Sequence, residues 1–211
     1  MNETDITLCG DDLLSVAVPS VDAAQRLAEQ LRSRGDWIEV VGGIDSVVAQ
    51  FDASQTDVQS AIDALLAVEL RAATPARDAG TVEIPVRYGG ENAPDFGEVC
   101  RSLGLTREEF VALHTRDVYR VDMLGFTPGF AYIGGLDERL NVPRLATPRQ
   151  HVEAGAIGIA GGRTGVYALP GPGGWPLIGR TELPLFDARD EQPFLLQPGM
   201  RVRFTAQDGG R

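Results

Sequence analysis

Between Arg120 and Arg180 the chain places 13 of its 25 glycines, and among them stand Phe126, Phe130, Tyr132, Tyr167 and Trp175. A glycine-rich tether lacks such side chains. Here the glycines fix backbone shape, allowing positive φ in tight turns and letting another backbone or a ligand come close to the main chain. The blocks Gly125-Phe126-Thr127-Pro128-Gly129-Phe130, Ala154-Gly155-Ala156-Ile157-Gly158, Thr164-Gly165-Val166-Tyr167 and Pro172-Gly173-Gly174-Trp175 fill this one turn-dense run. Short strands and turns continue to the end of the chain, as an irregular β-barrel requires.

The chain has 211 residues, 43% of them hydrophobic, enough for one large or two small domains with a buried core. No run is long and apolar enough for a membrane span. The N-terminus Met1-Asn2-Glu3-Thr4-Asp5 is acidic where a secretory signal needs positive charge, so the expectation is a soluble cytoplasmic protein. A net charge of −11 argues against a nucleic-acid partner. Within the glycine-rich run the balance reverses, with Arg120, Arg139, Arg144, Arg149, Arg163 and Arg180 against Asp122, Asp137, Glu138 and Glu153. Such a local arginine excess suits an anionic ligand or a carboxylate-bearing surface, and equally suits ordinary ion pairs.

Missing residues exclude whole mechanisms. All 19 basic residues are arginine, so this polypeptide has no Schiff-base lysine, no phosphate-loop lysine, no biotin-acceptor lysine and no Ser-Ser-Lys triad. Serine is absent after Ser102, which removes a serine nucleophile from the motif-rich half. With only His114 and His151, and Cys9 far from Cys100, no metal site is expected.

The pattern at the start of the chain predicts strands at Ile6-Thr7-Leu8 and Leu13 to Val18, joined by a turn at Gly10-Asp11-Asp12. Ser20 then caps a helix that repeats Val21, Ala24, Leu27, Ala28 and Leu31 until Gly35. A second hairpin spans Trp37 to Phe51, and Thr56 is read as the cap of a helix carrying Val58, Ile62, Leu65 and Leu66. Strand, helix, two strands, helix is the order of a split βαβ (ferredoxin-like) sandwich, with the extra hairpin strand at an edge. The apolar pattern lapses from Arg71 to Gly80, dividing the chain into domains 1–78 and 79–211. Thr81 to Tyr88 reads as a strand that Pro85 places at an edge or bulge. Helices follow at Asp95 to Leu103 and Thr106 to Thr115, the second opened by a Thr106/Glu109 capping box.

Several ordered blocks resemble one family: Ile84-Pro85-Val86 with Tyr88-Gly89-Gly90, Leu113-His114, the Gly-Phe-Thr-Pro-Gly-Phe run, Pro143-Arg144, Pro148-Arg149, and Pro172-Gly173-Gly174-Trp175 through Leu185-Phe186-Asp187. The chain resembles the subunit 1 family of allophanate-hydrolase-like proteins, which includes one component of bacterial ATP-dependent 5-oxoprolinase, the subunit designated B, and sporulation-kinase inhibitors. The resemblance implies a cyclophilin-like β-barrel after the N-terminal domain, in an α+β chain. It also implies a partner of the allophanate hydrolase subunit 2 type and a third, lactam-hydrolase subunit. The complex would open a cyclic amide, 5-oxoproline, at the expense of ATP, whose site within the complex the sequence does not show; no metal or biotin is carried by this chain. Two other activities fit the resemblance: inhibition of a sensor histidine kinase, and an accessory part in an allophanate hydrolase or urea carboxylase-like system.

Within that frame His114, Arg144 and Arg149 are the catalytic or polar-contact candidates. His114 is read either as a helix-end residue favouring the dipole or as an imidazole at a pocket rim. Arg144 and Arg149, each after a proline, are read either as loop arginines bonding carbonyls or as a fork for a carboxylate or phosphoryl group. Phe126, Pro128, Phe130, Tyr132 and Trp175 are read as barrel core or as pocket wall, with Thr164 and Tyr167 supplying hydroxyls to orient a small-molecule substrate. Asp122 and Glu153 are a further conceivable carboxylate pair, and His151 is read as peripheral. Relatives commonly carry Ala-Gly-Ser and Gln-Thr-Gly-Val-Tyr-Pro where this chain has Ala154-Gly155-Ala156 and Arg163-Thr164-Gly165-Val166-Tyr167-Ala168, so its ligand preference need not match theirs.

Overall fold

The computed structural model describes residues 5–68, 80–91 and 93–207. The chain divides into two compact units, Met1–Arg77 and Asp78–Arg211. The expected boundary after residue 78 lies outside the described residues.

In the first unit, β1 (Ile6–Cys9) and β2 (Leu13–Ala17) form a hairpin, α1 (Val21–Arg34) follows, and β3 (Glu39–Gly42), β4 (Ser46–Gln50) and α2 (Val58–Leu66) complete it. The Ser20 hydroxyl caps α1 by accepting from Ala23 N, and Gly35 ends the helix in the left-handed conformation. Asp57 caps α2, not Thr56 as expected, because its carboxylate stands just ahead of the first turn and accepts from Ser60 N. The sheet is antiparallel in the order β1-β2-β4-β3, with β1 at an edge. Alternation along β2 and β4 turns Leu14, Val16, Val47 and Ala49 inward, where they pack with Leu27, Leu31 and Leu65.

The second unit runs β5 (Thr81–Tyr88), α3 (Phe96–Leu103), α4 (Arg107–Arg116), β6 (Tyr119–Leu124), β7 (Ala131–Gly134), β8 (Arg149–Val152), β9 (Ala156–Ala160), β10 (Arg163–Val166), β11 (Gly171–Gly173), β12 (Leu177–Arg180) and β13 (Arg201–Ala206). Seven strands close into a barrel in the order β10-β7-β6-β13-β5-β12-β9, while β8 and β11 pair as a separate ribbon. Pro85 stands within this closed barrel, opposite Thr205 in a parallel pairing. On its other side β12 registers only with Arg87 and Tyr88, so the amide hydrogen that proline lacks falls where that ladder has not begun. Ile84, Val86, Val121, Ile133, Ile157, Ile159, Val166, Ile178, Val202 and Phe204 fill the core. The Thr106/Glu109 capping box opens α4 as the sequence pattern requires. Among the described residues no helix is long and apolar enough to cross a membrane.

Candidate functional site

The glycine-rich blocks converge on one aromatic cluster outside the main barrel core. Phe130 lies at its centre, with ring centroids 4.9 Å from Tyr132, 4.8 Å from Tyr167, and 5.7 Å from both Phe126 and Trp175. Tyr132 and Trp175 also meet edge to face at 5.7 Å. Every one of these pairs is edge to face, the arrangement that sets the positive rim of one ring on the negative face of another. Val152, Ala156 and Leu177 complete the apolar support.

Two glycines make the cluster possible. A Cβ on Gly165 would stand 2.7 Å from Phe130 Cζ and 3.0 Å from Trp175 Cζ3, and one on Gly173 would stand 2.5 Å from the Tyr167 hydroxyl. Phe126 is held at φ 71°, the one described non-glycine residue in that region, and the residue is 60% exposed. Pro128 is exposed in the same loop, which is closed by hydrogen bonds from Phe130 N to Thr127 O and from Gly125 N to Phe130 O.

Arg149 neighbours the Tyr167 hydroxyl across the β8–β11 pairing. Burial pushes the acidity of that hydroxyl down, while the Trp175 backbone and the charges of Arg144 and Arg149 act the other way. Arg144 is exposed, whereas Arg149 lies on β8 opposite Gly173 and is held by Asp95. Arg149 Nη2 donates to Asp95 Oδ1 at 2.6 Å, and Asp95 Oδ2 accepts from Leu177 N at 2.7 Å. Arg149 Nη1 is buried and has no protein hydrogen-bond partner.

His114 and Thr164 stand apart from this group, in the interior of the second unit. His114 is fully buried on α4, where Phe110, Tyr119 and Phe204 surround it, so it does not occupy the rim position considered from sequence. Its Nδ1 meets the Tyr88 hydroxyl at 2.6 Å and its Nε2 meets Thr164 Oγ1 at 3.1 Å. Thr164 Oγ1 in turn donates to Gly158 O at 3.3 Å, so it accepts from Nε2–H, and Nδ1 accepts from the tyrosine. That arrangement is complete with a neutral imidazole, and burial lowers the His114 pKa to about 3. The relay nevertheless adjoins the aromatic cluster through the chain itself, since Thr164 is followed by Gly165. A shallow groove of about 410 Å³ is lined by Tyr88, Phe96, Arg107, Glu108, Val111 and Ala112; Tyr88 is the residue it shares with the relay.

The remaining sequence candidates are engaged separately. Asp122 pairs with Arg163 at 3.0 Å and Glu153 with the exposed His151 at 3.0 Å, so the two carboxylates serve different partners. Among the described residues no group of three or more His, Cys, Asp or Glu side chains is placed to hold a metal ion. Sequence reasoning missed Asp95. It reads as an ordinary helix cap, yet its carboxylate makes no capping bond to α3, and only the fold shows that it is spent on Arg149 and Leu177.

Comparison with known proteins supplies relatives. The carboxyltransferase domain, subdomain C and D, matches residues 4–196. A protein from Escherichia coli O157:H7, named as the 5-oxoprolinase subunit designated B, is 41% identical over 197 residues, covering 92% of this chain and 89% of that relative. The crystal structure of TTHA0988 superposes with a TM-score of 0.80 at 35% identity, covering 94% of this chain; this chain spans only 40% of that longer one. The crystal structure of the conserved uncharacterized protein PH0987 from Pyrococcus horikoshii matches at 35% identity with a TM-score of 0.60, covering 96% of this chain and 97% of that one.

Proposed function

We propose that this chain, which belongs to the carboxyltransferase domain, subdomain C and D, family and within it groups with the B-designated subunits of 5-oxoprolinase, is the member of a 5-oxoprolinase complex that provides an aromatic, arginine-flanked wall for the lactam substrate. The observation that carries this reading is the convergence of Phe126, Phe130, Tyr132, Tyr167 and Trp175 beside Arg149.

The chemistry asks for such a wall. An unstrained lactam is a poor electrophile, and transfer of a phosphoryl group from ATP to its oxygen makes the ring carbon open to water. Ring opening then yields glutamate, with ADP and phosphate released. The activated intermediate must be shielded from bulk water until the reaction is complete. Packed rings exclude water, while Arg144, Arg149 and the Tyr167 hydroxyl hold oxygen atoms in place. His114 and Thr164 contribute from behind, fixing β10 so that Gly165 stays under the rings.

A partner of the subunit 2 type completes the site and, with a third lactam-hydrolase subunit, supplies what this lysine-free chain lacks. The assembly works in the cytoplasm, where ATP is available. We read the N-terminal unit as a split βαβ (ferredoxin-like) layer on the strength of its β1-β2-β4-β3 order, the C-terminal unit as a cyclophilin-like barrel, and the boundary as falling after residue 78.

The test is reconstitution. The chain is combined with its subunit 2 and lactam-hydrolase partners, and ATP-dependent release of glutamate from L-5-oxoproline is measured. Release that needs this chain supports the reading. An intact assembly, verified by light scattering, that releases no glutamate overturns it.

A further inference from the structure

Asp95 occupies the position just before α3, where a carboxylate ordinarily caps the helix, yet it makes no such bond. Both of its oxygens turn away from the helix, one to Arg149 Nη2 at 2.6 Å and one to Leu177 N at 2.7 Å. The result is a guanidinium fixed by one edge. The side chains of Arg149 and Asp95 are 28% and 17% exposed, so the pair is partly shielded from solvent, and Arg149 Nη1 is left buried without a protein partner. A buried N–H of a charged group lacking an acceptor is costly, and it marks a place where an acceptor is expected.

The strand pairing places Arg149 next to the Tyr167 hydroxyl. Arg149 on β8 faces Gly173 on β11, and the absent side chain of Gly173 is where the Tyr167 hydroxyl sits. A guanidinium and a phenol hydroxyl are thus neighbours at one edge of the aromatic cluster. We infer that Asp95 is a positioning residue that presents Arg149, together with the Tyr167 hydroxyl, to the carboxylate of the lactam substrate, making Arg149 the residue that selects an acid over its neutral amide. This rests on the lactam reading above and goes beyond it by assigning the carboxylate end of the substrate to particular donors.

A carboxylate suits the site better than the phosphates of ATP. One fixed guanidinium edge and one hydroxyl match two oxygens carrying a single negative charge. A triphosphate calls for several cations or a backbone cradle, and this chain has no lysine to add.

The test compares L-5-oxoproline with its carboxamide, L-5-oxoprolinamide, and with ATP. Binding of each to the full chain and to the reconstituted complex is measured by calorimetry, and turnover of L-5-oxoproline by the complex is followed for wild type, Arg149→Gln, Asp95→Asn and Asp95→Ala. Wild type should prefer the acid over the amide by roughly 10- to 100-fold, as a charge-assisted bond implies. Arg149→Gln should abolish the preference, and both Asp95 variants should reduce it, raising KM for the acid by a similar factor with little change in kcat. A merely structural Asp95 would lower the melting temperature and kcat but leave the acid-to-amide ratio unmoved, and that outcome overturns the inference. So does wild-type binding that ignores the carboxylate, or a weakening of ATP binding in place of lactam binding. Failure of turnover alone, with the acid preference and its loss intact in the binding data, counts against the complex's proposed reaction and leaves the carboxylate assignment standing.

Discussion

The rings of Phe130 and Trp175 stand edge to face at 89° with centroids 5.7 Å apart, and both come within 3.0 Å of where a Cβ on Gly165 would lie. Gly165 therefore acts as a spacer. Gly165→Ala should cost about 1–3 kcal/mol of stability through overpacking and raise KM for the lactam, because the rings must separate or tilt to admit the methyl. Urea unfolding and steady-state kinetics check both. An alanine that leaves both unchanged would mean that the rings yield freely and do not form a fixed wall.

Phe126 offers a separation of stability from function. Its φ of 71° is the left-handed region, which costs a non-glycine residue about 1 kcal/mol, and its largely exposed ring returns little burial. Phe126→Gly should keep or raise the melting temperature while raising KM, since the ring at the cluster's outer side is lost. Phe126→Val should lower the melting temperature, because a β-branched residue is more strained there. Thermal melts of the two variants, set beside their KM values, decide the matter.

The pH dependence of His114 has a definite sign. Its pKa is near 6.5 in the unfolded chain and about 3 when folded, so between those values the unfolded state binds more protons and acidification destabilises the fold. This group alone contributes a slope of up to about 1.4 kcal/mol per pH unit below the unfolded pKa. His114→Gln should be less stable than wild type near neutrality, having disturbed the bonds to Tyr88 and Thr164, but the gap should narrow as pH falls from about 7 to about 5. Unfolding midpoints of both proteins across that range provide the measurement, and a constant gap would contradict a buried neutral imidazole.

Arg144 is exposed and lies in a loop, so its removal should leave the fold alone. Arg144→Gln is expected to shift the melting temperature very little and to raise KM for L-5-oxoproline roughly tenfold, the value of one charge-assisted contact. An unchanged KM in the complex would remove Arg144 from the site.

Local features were readable wherever the signal is local. Ser20 before Val21, Gly35 after the last apolar repeat, and Thr106 three residues ahead of Glu109 each bond the backbone within a few residues, so their positions in the chain are enough to assign them. Thr56 and Asp57 show the margin of such reading, since adjacent residues of similar capping power differ only in where the first turn begins. Pro85 shows a different failure. Its lack of an amide hydrogen suggested an edge, but a closed barrel with a short partner strand accommodates it without one.

The composition of the chain settled what chemistry it is unable to perform: without lysine, and without serine after Ser102, several catalytic devices are excluded whatever the fold. The interleaving of rings and glycines likewise marked a run in which glycine sets the backbone shape, while it left the rings open to a place in the barrel core or in a pocket wall. Only the tertiary structure decided that His114 belongs to the interior, that Arg149 is held by Asp95 at a separation of 54 residues, and that Arg149 lies opposite Gly173, where the Tyr167 hydroxyl sits. Those relations depend on which strands register together and on which helix face is buried, and such long-range pairings leave no mark on the residues next to them in the chain.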